Sequence, residues 1–235
     1  MKKKQSQAVF LHCVARKTLY AIFPVFMCAV FSGCLGVSMD ITVRSDGSGV
    51  MALEYRVSKM AEALGKLDGN ERWNTVPVGR ADFERTMARL PGLRLTSFSS
   101  KDEGADLVTR AQIAFDNFDD LAAFLAPQQD TQKNRAVFTQ ENGTRTLFLL
   151  LSDASSAIDA DLRSLYETLF SRYSLRFSLN VPAAATLRLT DAAGSSINAP
   201  HGTVQLIPRG KKVSFGMDMR ELFNFTDGLA LEFIW

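Results

Sequence analysis

Apolar and polar residues alternate along several short stretches of the chain, which is the pattern of half-buried β-strands. Six of these stretches form three pairs, and each pair is separated by a turn rich in Gly, Asp or Asn. The pairs cover residues 37–44 with 50–57, 93–99 with 107–115, and 136–140 with 145–151. Because Gly accepts the positive φ that a tight turn needs, each pair predicts a β-hairpin.

Apolar residues at helical spacing follow each predicted hairpin. The predicted helices cover residues 58–67, 81–90, 116–125 and 155–171. The last is the most regular of the four, with Leu162, Leu165 and Leu169 on one face. Strand, strand and helix therefore recur three times, which is typical of α+β domains.

From Tyr173 onward the pattern is mostly that of strands. These are predicted at residues 174–181, 185–190, 203–207, 211–219 and 229–235, with a tight turn at Pro208–Gly210, a helical turn at Arg220–Phe225 and an exposed loop at 191–202. The predicted fold class is α+β. An antiparallel sheet built from hairpins carries amphipathic helices on one face and is followed by a strand-rich C-terminal part.

The first 33 residues differ from the rest of the chain. Lys2–Lys4, Arg16 and Lys17 precede an apolar run over residues 19–31, and Ser32 and Gly33 then stand before Cys34. Basic, apolar and small residues in this order are typical of a secretory signal. The apolar run is also shorter than the roughly 20 residues that a membrane-spanning helix needs.

A cysteine at the cleavage point makes this segment resemble a bacterial lipoprotein signal. That resemblance implies removal of residues 1–33 and acylation of Cys34, with palmitate among the acyl chains. Phe31 stands where the family usually has Leu, a departure that spirochaete-type lipoproteins tolerate. Two alternatives stay open, namely an uncleaved anchor helix and a signal cut by ordinary signal peptidase. Several acyl chains together would hold the protein stably to a membrane.

Charge outside the signal gives no support for nucleic-acid binding. The first 33 residues hold five of the 27 basic residues and none of the 25 acidic ones, which leaves 22 basic against 25 acidic residues. A nucleic-acid-binding protein usually needs a basic face. Residues 34–235 are enough for one α+β domain, with a possible sub-boundary near residue 172.

Residues for common catalytic and metal chemistry are scarce. Cys13 and Cys28 lie in the predicted signal with His12, so Cys34 and His201 are the only cysteine and histidine beyond it. His201 stands in a predicted turn, and no nucleophile, metal or phosphate-loop motif occurs. We therefore predict no catalytic residues, no metal and no cofactor, and a protein that is not an enzyme.

Two features could bind lipid. Arg209, Lys211 and Lys212 at a predicted hairpin tip could contact anionic headgroups, and each cation near a membrane contributes about 1 kcal/mol. The chain also has 17 phenylalanines, most of them on predicted strand or helix faces. They indicate an aromatic core, and an apolar cavity for an acyl chain is the sharper hypothesis.

Residues 39–49, Met-Asp-Ile-Thr-Val-Arg-Ser-Asp-Gly-Ser-Gly, resemble the opening of LppM-like bacterial lipoproteins. There a strand and an Asp-Gly-Ser/Thr-Gly turn follow the lipidated cysteine closely. The resemblance implies an envelope protein with an α+β domain that handles lipids or lipoglycans. It carries over no catalytic residue.

The leading functional hypothesis is a non-enzymatic lipoprotein of the cell envelope that binds a lipid or an envelope partner. Acylated Cys34 would hold it to the cell membrane or outer membrane, facing the periplasm or the exterior. The first alternative is a surface adhesin that binds proteins through exposed loops such as 191–202. The second is an envelope hydrolase that works through paired carboxylates, for which the sequence offers no characteristic spacing.

Overall fold

The computed structural model of the protein describes residues 35–59, 79–125, 136–153, 170–198 and 204–235. Within them the chain forms ten strands: β1 (Leu35–Val43), β2 (Gly49–Ser58), β3 (Leu93–Glu103), β4 (Asp106–Phe115), β5 (Ala136–Glu141), β6 (Thr144–Ser152), β7 (Ser174–Thr190), β8 (Val204–Ile207), β9 (Arg209–Asp218) and β10 (Leu229–Ile234). The helices are α1 (Arg80–Met87), α2 (Phe118–Leu125) and the 3-10 helix η1 (Met219–Asn224).

Several predictions concern residues outside these ranges. Residues 60–78 and 154–169 contain most of the first and last predicted helices. Cys34 and His201 also lie outside the described residues.

The strands form one mixed sheet in the order β3-β4-β2-β1-β7-β10-β6-β5, and β9 and β8 continue from the other edge of β7. Pairing is mostly antiparallel, as predicted from the sequence. The exception is a parallel pair between β1 and β7, in which Val37–Thr42 lies beside Leu175–Asn180. The predicted antiparallel pairing is therefore confirmed for most of the sheet, and the parallel pair of two strands far apart in the chain makes the sheet mixed.

β7 is a single strand of 17 residues, not the two strands predicted at 174–181 and 185–190. Its first half pairs with β1 on one edge and β9 on the other, and its second half pairs with β10. The pairing register with β9 shifts between Asn180 and Ala185. Pro182 lies in this irregular segment, where its missing N–H removes no regular ladder hydrogen bond. The strand continues through the three residues that separate the two predicted strands.

One face of the sheet carries the apolar core. Buried and half-buried residues alternate along the whole of β2, so its odd-numbered residues face the core. β1 and the first half of β7 place their odd-numbered residues on the same face, because Val37 lies opposite both Tyr55 and Leu175. Arg56, Arg110 and Asp40 lie on the opposite face, which is largely polar.

The two α-helices each pack an aromatic side chain into the core. Phe83 of α1 has its ring centroid 5.6 Å from that of Phe98 in β3. Phe118 of α2 stacks on Phe138 at 4.6 Å and lies 5.2 Å from the ring of Trp235. These phenylalanines therefore pack against other aromatic rings, and a hollow lipid cavity stays a prediction.

Among the described residues, no helix is long and apolar enough to cross a membrane.

Candidate functional site

The three cationic residues singled out in the sequence lie together where β8 leads into β9. Only Pro208 separates the two strands, so Arg209 and Gly210 belong to β9 and the predicted turn at Pro208–Gly210 is wrong in its extent. The chain bends at Gly210, whose φ of +133° favours glycine. We call residues 206–212 the tip.

The backbone of the tip is held against β7. The amide of Leu187 donates to the carbonyl of Pro208 at 2.8 Å, and Gly210 lies opposite Ala185. On the other side of this point Lys212 lies opposite Asn180. Residues 208–210 and Lys212 of the tip are therefore attached to a long interior strand, and this fixes the position of the tip relative to the sheet.

A bulge in β7 lies beside the tip. Four residues of β7, Val181–Ala184, face the single residue Lys211 of β9. Pro182, Ala183 and Ala184 are exposed. A bulge re-aims the side chains that it carries, and here it places small apolar groups next to the basic residues.

The tip also exposes larger apolar side chains. Leu206 is 37% exposed and Ile207 is 53% exposed, and they are the only exposed large apolar residues in the part of the chain that the structure describes. The reason is topological, since β8 pairs with β9 alone among the described strands. No neighbouring strand covers its outer edge.

The three cations at the tip differ in their partners. Lys212 Nζ lies 3.2 Å from Asp40 Oδ2, and that same oxygen accepts a hydrogen bond of 2.6 Å from Ser178 Oγ. Arg209 and Lys211 are exposed and make no ion pair with any residue that the structure describes. The tip thus presents two uncompensated cations and a third that is tied to β1.

Exposed apolar groups beside exposed cations suit a surface that offers both anions and hydrocarbon. Arginine and lysine bind phosphate oxygens through charge-assisted hydrogen bonds. Apolar side chains beside them can enter the boundary between headgroups and acyl chains, where binding grows with buried apolar area and with attraction to anionic lipid. The arrangement is chemically suited to a membrane of anionic lipids.

The sequence identified the cations of this site but missed its apolar members. Leu206 and Ile207 alternate poorly with polar residues, and the sequence alone gives no sign that β8 lies at an edge. The adjacency of Leu206–Pro208 to Arg209 was the one available signal. The predicted lipid site, Cys34, lies outside the described residues, but Leu35 directly after it begins β1.

Paired carboxylates occur on the polar face of the sheet. Arg110 donates from Nε to Glu54 at 2.6 Å and from Nη1 to Glu103 at 2.7 Å, and Arg56 also donates to Glu54 at 2.8 Å. The hydrogen bond from Arg110 holds the pKa of Glu103 below its usual value. Both carboxylates therefore accept hydrogen bonds from arginine, and the group forms an ionic network across three strands.

The exposed loop proposed for an adhesin is described as far as residue 198. Asp191 Oδ1 accepts hydrogen bonds from the amides of Ala193 and Ser195, and Gly194 adopts a φ of +90°. These contacts make a tight local turn at the end of β7. Among the described residues, no group of three or more His, Cys, Asp or Glu side chains could hold a metal ion.

The sequence matches no model of a known protein family and no curated protein.

Proposed function

We propose that the chain is a lipid-anchored, non-enzymatic protein of the bacterial cell envelope that binds lipid through the tip. The observation that supports this best is the closeness along the chain of exposed Leu206 and Ile207 to exposed Arg209 and Lys211, which make no ion pair with any described residue. Attraction of cations to anionic lipid and burial of apolar side chains would act on the same small surface.

The anchor in this proposal is an acylated Cys34, left after removal of residues 1–33. It would hold the protein to the cell membrane or outer membrane, facing the periplasm or the exterior, as in the LppM-like proteins that residues 39–49 resemble. Amphipathic helices over residues 58–67 and 155–171 would join α1 and α2 on the core face of the hairpin-built sheet. The ligand of this α+β domain is an acyl chain or an envelope protein.

Acylation is tested on the full chain expressed in bacteria that are fed an alkyne analogue of palmitate. We expect the wild-type chain to carry the label and the Cys34→Ser variant to lack it, because Cys34 is the only cysteine beyond the signal. Ser keeps the size of the side chain and removes the sulfur that is acylated. An unlabelled wild-type chain would show that the anchor is wrong.

Binding of a lipid ligand in the core, as distinct from contact of the tip with headgroups, is tested on the same labelled protein after purification under native conditions. Organic extraction and mass spectrometry should recover a lipid in near-stoichiometric amount besides the chains attached to Cys34. A folded and acylated protein without such a lipid would shift the proposal to an envelope protein as partner.

A further inference from the structure

β1 connects the predicted anchor to the opposite end of the sheet. It begins at Leu35, directly after Cys34, and runs to Val43. At about 3.3 Å per residue, a strand advances about 23 Å between Leu35 and Thr42. An acylated Cys34 would therefore leave no spacer between the membrane and the sheet, and the sheet would extend away from that membrane.

The tip lies at the far end of this path. Thr42 lies opposite Asn180 of β7, and Asn180 lies opposite Lys212 of β9. At the end of the sheet nearer to Cys34, Val37 of β1 lies opposite Leu175 of β7, and Leu175 lies opposite Met217 of β9. The anchor and the cations of the tip are thus at opposite ends of the same three adjacent strands.

A charged corner lies at the anchor end of the sheet, on its β8 side. Asp218 ends β9 opposite Ser174, and Arg220 Nη2 lies 3.3 Å from Asp218 Oδ2. Both residues are exposed. If the sheet tilted in its own plane to bring the tip onto the membrane that holds Cys34, this corner would enter the bilayer. Burial of charges in a bilayer is unfavourable.

The geometry points to a role as a bridge, in which Cys34 is held in one membrane and the tip binds the anionic headgroups of a second, apposed membrane. This inference rests on the proposed function for its anchor and adds the partner of the tip. Arg209 and Lys211 supply the attraction to phosphate, Ile207 and Leu206 enter among the headgroups, and the sheet sets the spacing between the two surfaces.

The test uses the full, acylated chain, reconstituted through Cys34 into donor vesicles of phosphatidylcholine. Acceptor vesicles contain phosphatidylcholine with or without phosphatidylglycerol and carry a different fluorescent lipid. Co-flotation of the two dyes measures bridging. We expect bridging only with phosphatidylglycerol acceptors and a marked loss of it at high salt, because exposed charges are screened.

Two matched double variants assign the effect to the tip. R209Q/K211Q removes two cations there, and we expect bridging affinity to fall roughly 30-fold, since each cation near a membrane contributes about 1 kcal/mol. R89Q/K101Q makes the same charge change at two exposed positions elsewhere on the molecule, and it should leave affinity unchanged. Equal loss in both variants would overturn the assignment. Circular dichroism confirms that each variant folds.

A dye attached to the tip shows which of the two membranes the tip contacts. The mature chain has no free cysteine once Cys34 is acylated, so Ile207→Cys can carry an environment-sensitive dye at the tip, and Lys101→Cys serves as control. We expect a blue shift at position 207 when phosphatidylglycerol is in the acceptor vesicles. A blue shift when it is only in the donor vesicles would overturn the inference, because the tip would then lie on the membrane of the anchor.

The outcomes for the two proposals are separable. The mass of the N-terminal peptide reports whether Cys34 is acylated, and failure there contradicts the anchor itself. Acylated protein that holds donor vesicles but bridges to no acceptor contradicts the inference alone.

Discussion

Gly49 permits a close approach between strands in the core. A Cβ added to Gly49 would overlap the ring of Phe115 and the carbonyl oxygen of Thr42. Phe115 is buried and lies opposite Gly49 in β4, so it has little room to move. Phe115 and Thr42, its neighbours across the sheet, thus require glycine at position 49, although the sequence shows Gly49 only as part of a turn.

We expect Gly49→Ala to reduce the free energy of unfolding by about 1–3 kcal/mol, the usual effect of overpacking. Urea unfolding measures it. Gly216→Ala is the matched control, because a Cβ there meets nothing closer than 3.8 Å, and this variant should be neutral or slightly more stable. Equal stability of the two variants would mean that Phe115 moves aside.

At the scale of the elements, an ionic network connects β2, β3 and β4 on the polar face. Arg110 of β4 bonds to Glu54 of β2 and to Glu103 of β3, and Arg56 approaches both carboxylates. The arginine contacts lower the pKa of Glu103 relative to its ordinary 4.5. A second such pair, Arg94 with Asp116, is bidentate at 2.7 and 2.9 Å.

A carboxyl with a lowered pKa in the folded state stabilises the fold above its unfolded pKa. That contribution is lost as the pH falls through the folded pKa. We therefore expect the urea midpoint to fall below about pH 4.5, the ordinary pKa of Glu103, and to fall less in Glu103→Gln. Glu141→Gln is the control, since exposed Glu141 makes no ion pair among the described residues. An equal pH dependence in both variants would contradict a role for the network.

Strands were predictable from the sequence where apolar residues alternate beside a turn. β1 and β2 were predicted within two residues at every end, because alternation and the Asp46–Gly49 turn coincide. β7 was predicted as two strands, 174–181 and 185–190, because only its pairing with β9 reveals that residues 181–184 form a bulge within one strand. The parallel pairing of β1 with β7 depends on contacts between distant segments, for which local patterns give no signal.

The same distinction applies to the candidate site. Charge is visible in a sequence, so Arg209, Lys211 and Lys212 could be identified. The exposure of Ile207 depends on the missing neighbour of β8, and the pairing of Lys212 with Asp40 joins β9 to β1 across β7. Both are properties of the sheet order and could not be read from the local sequence.

At the scale of the whole molecule, β7 belongs to two groups of strands. Its first half pairs with β1 and β9 and its second half with β10. Trp235 follows β10 and packs against Phe118 of α2, so its fluorescence reports on the second group. Loss of either group would expose one half of the same strand.

We therefore expect the described sheet to unfold as one cooperative unit. In a Trp73→Phe variant, which leaves Trp235 as the only tryptophan, the urea transition followed by fluorescence should coincide with that followed by far-ultraviolet circular dichroism. A fluorescence transition at lower urea would show that the strands around β10 separate first.

The start of β1 has a consequence for how long the protein would stay on a cell. Proteases release surface proteins most readily by cutting exposed, loosely ordered segments. The residues directly after Cys34 belong instead to a strand paired on one edge with β2 and, from Val37, on the other edge with β7. Cleavage there would require an interior strand to leave the sheet. An acylated molecule of this design should resist shedding, and its loss from the cell should follow its unfolding.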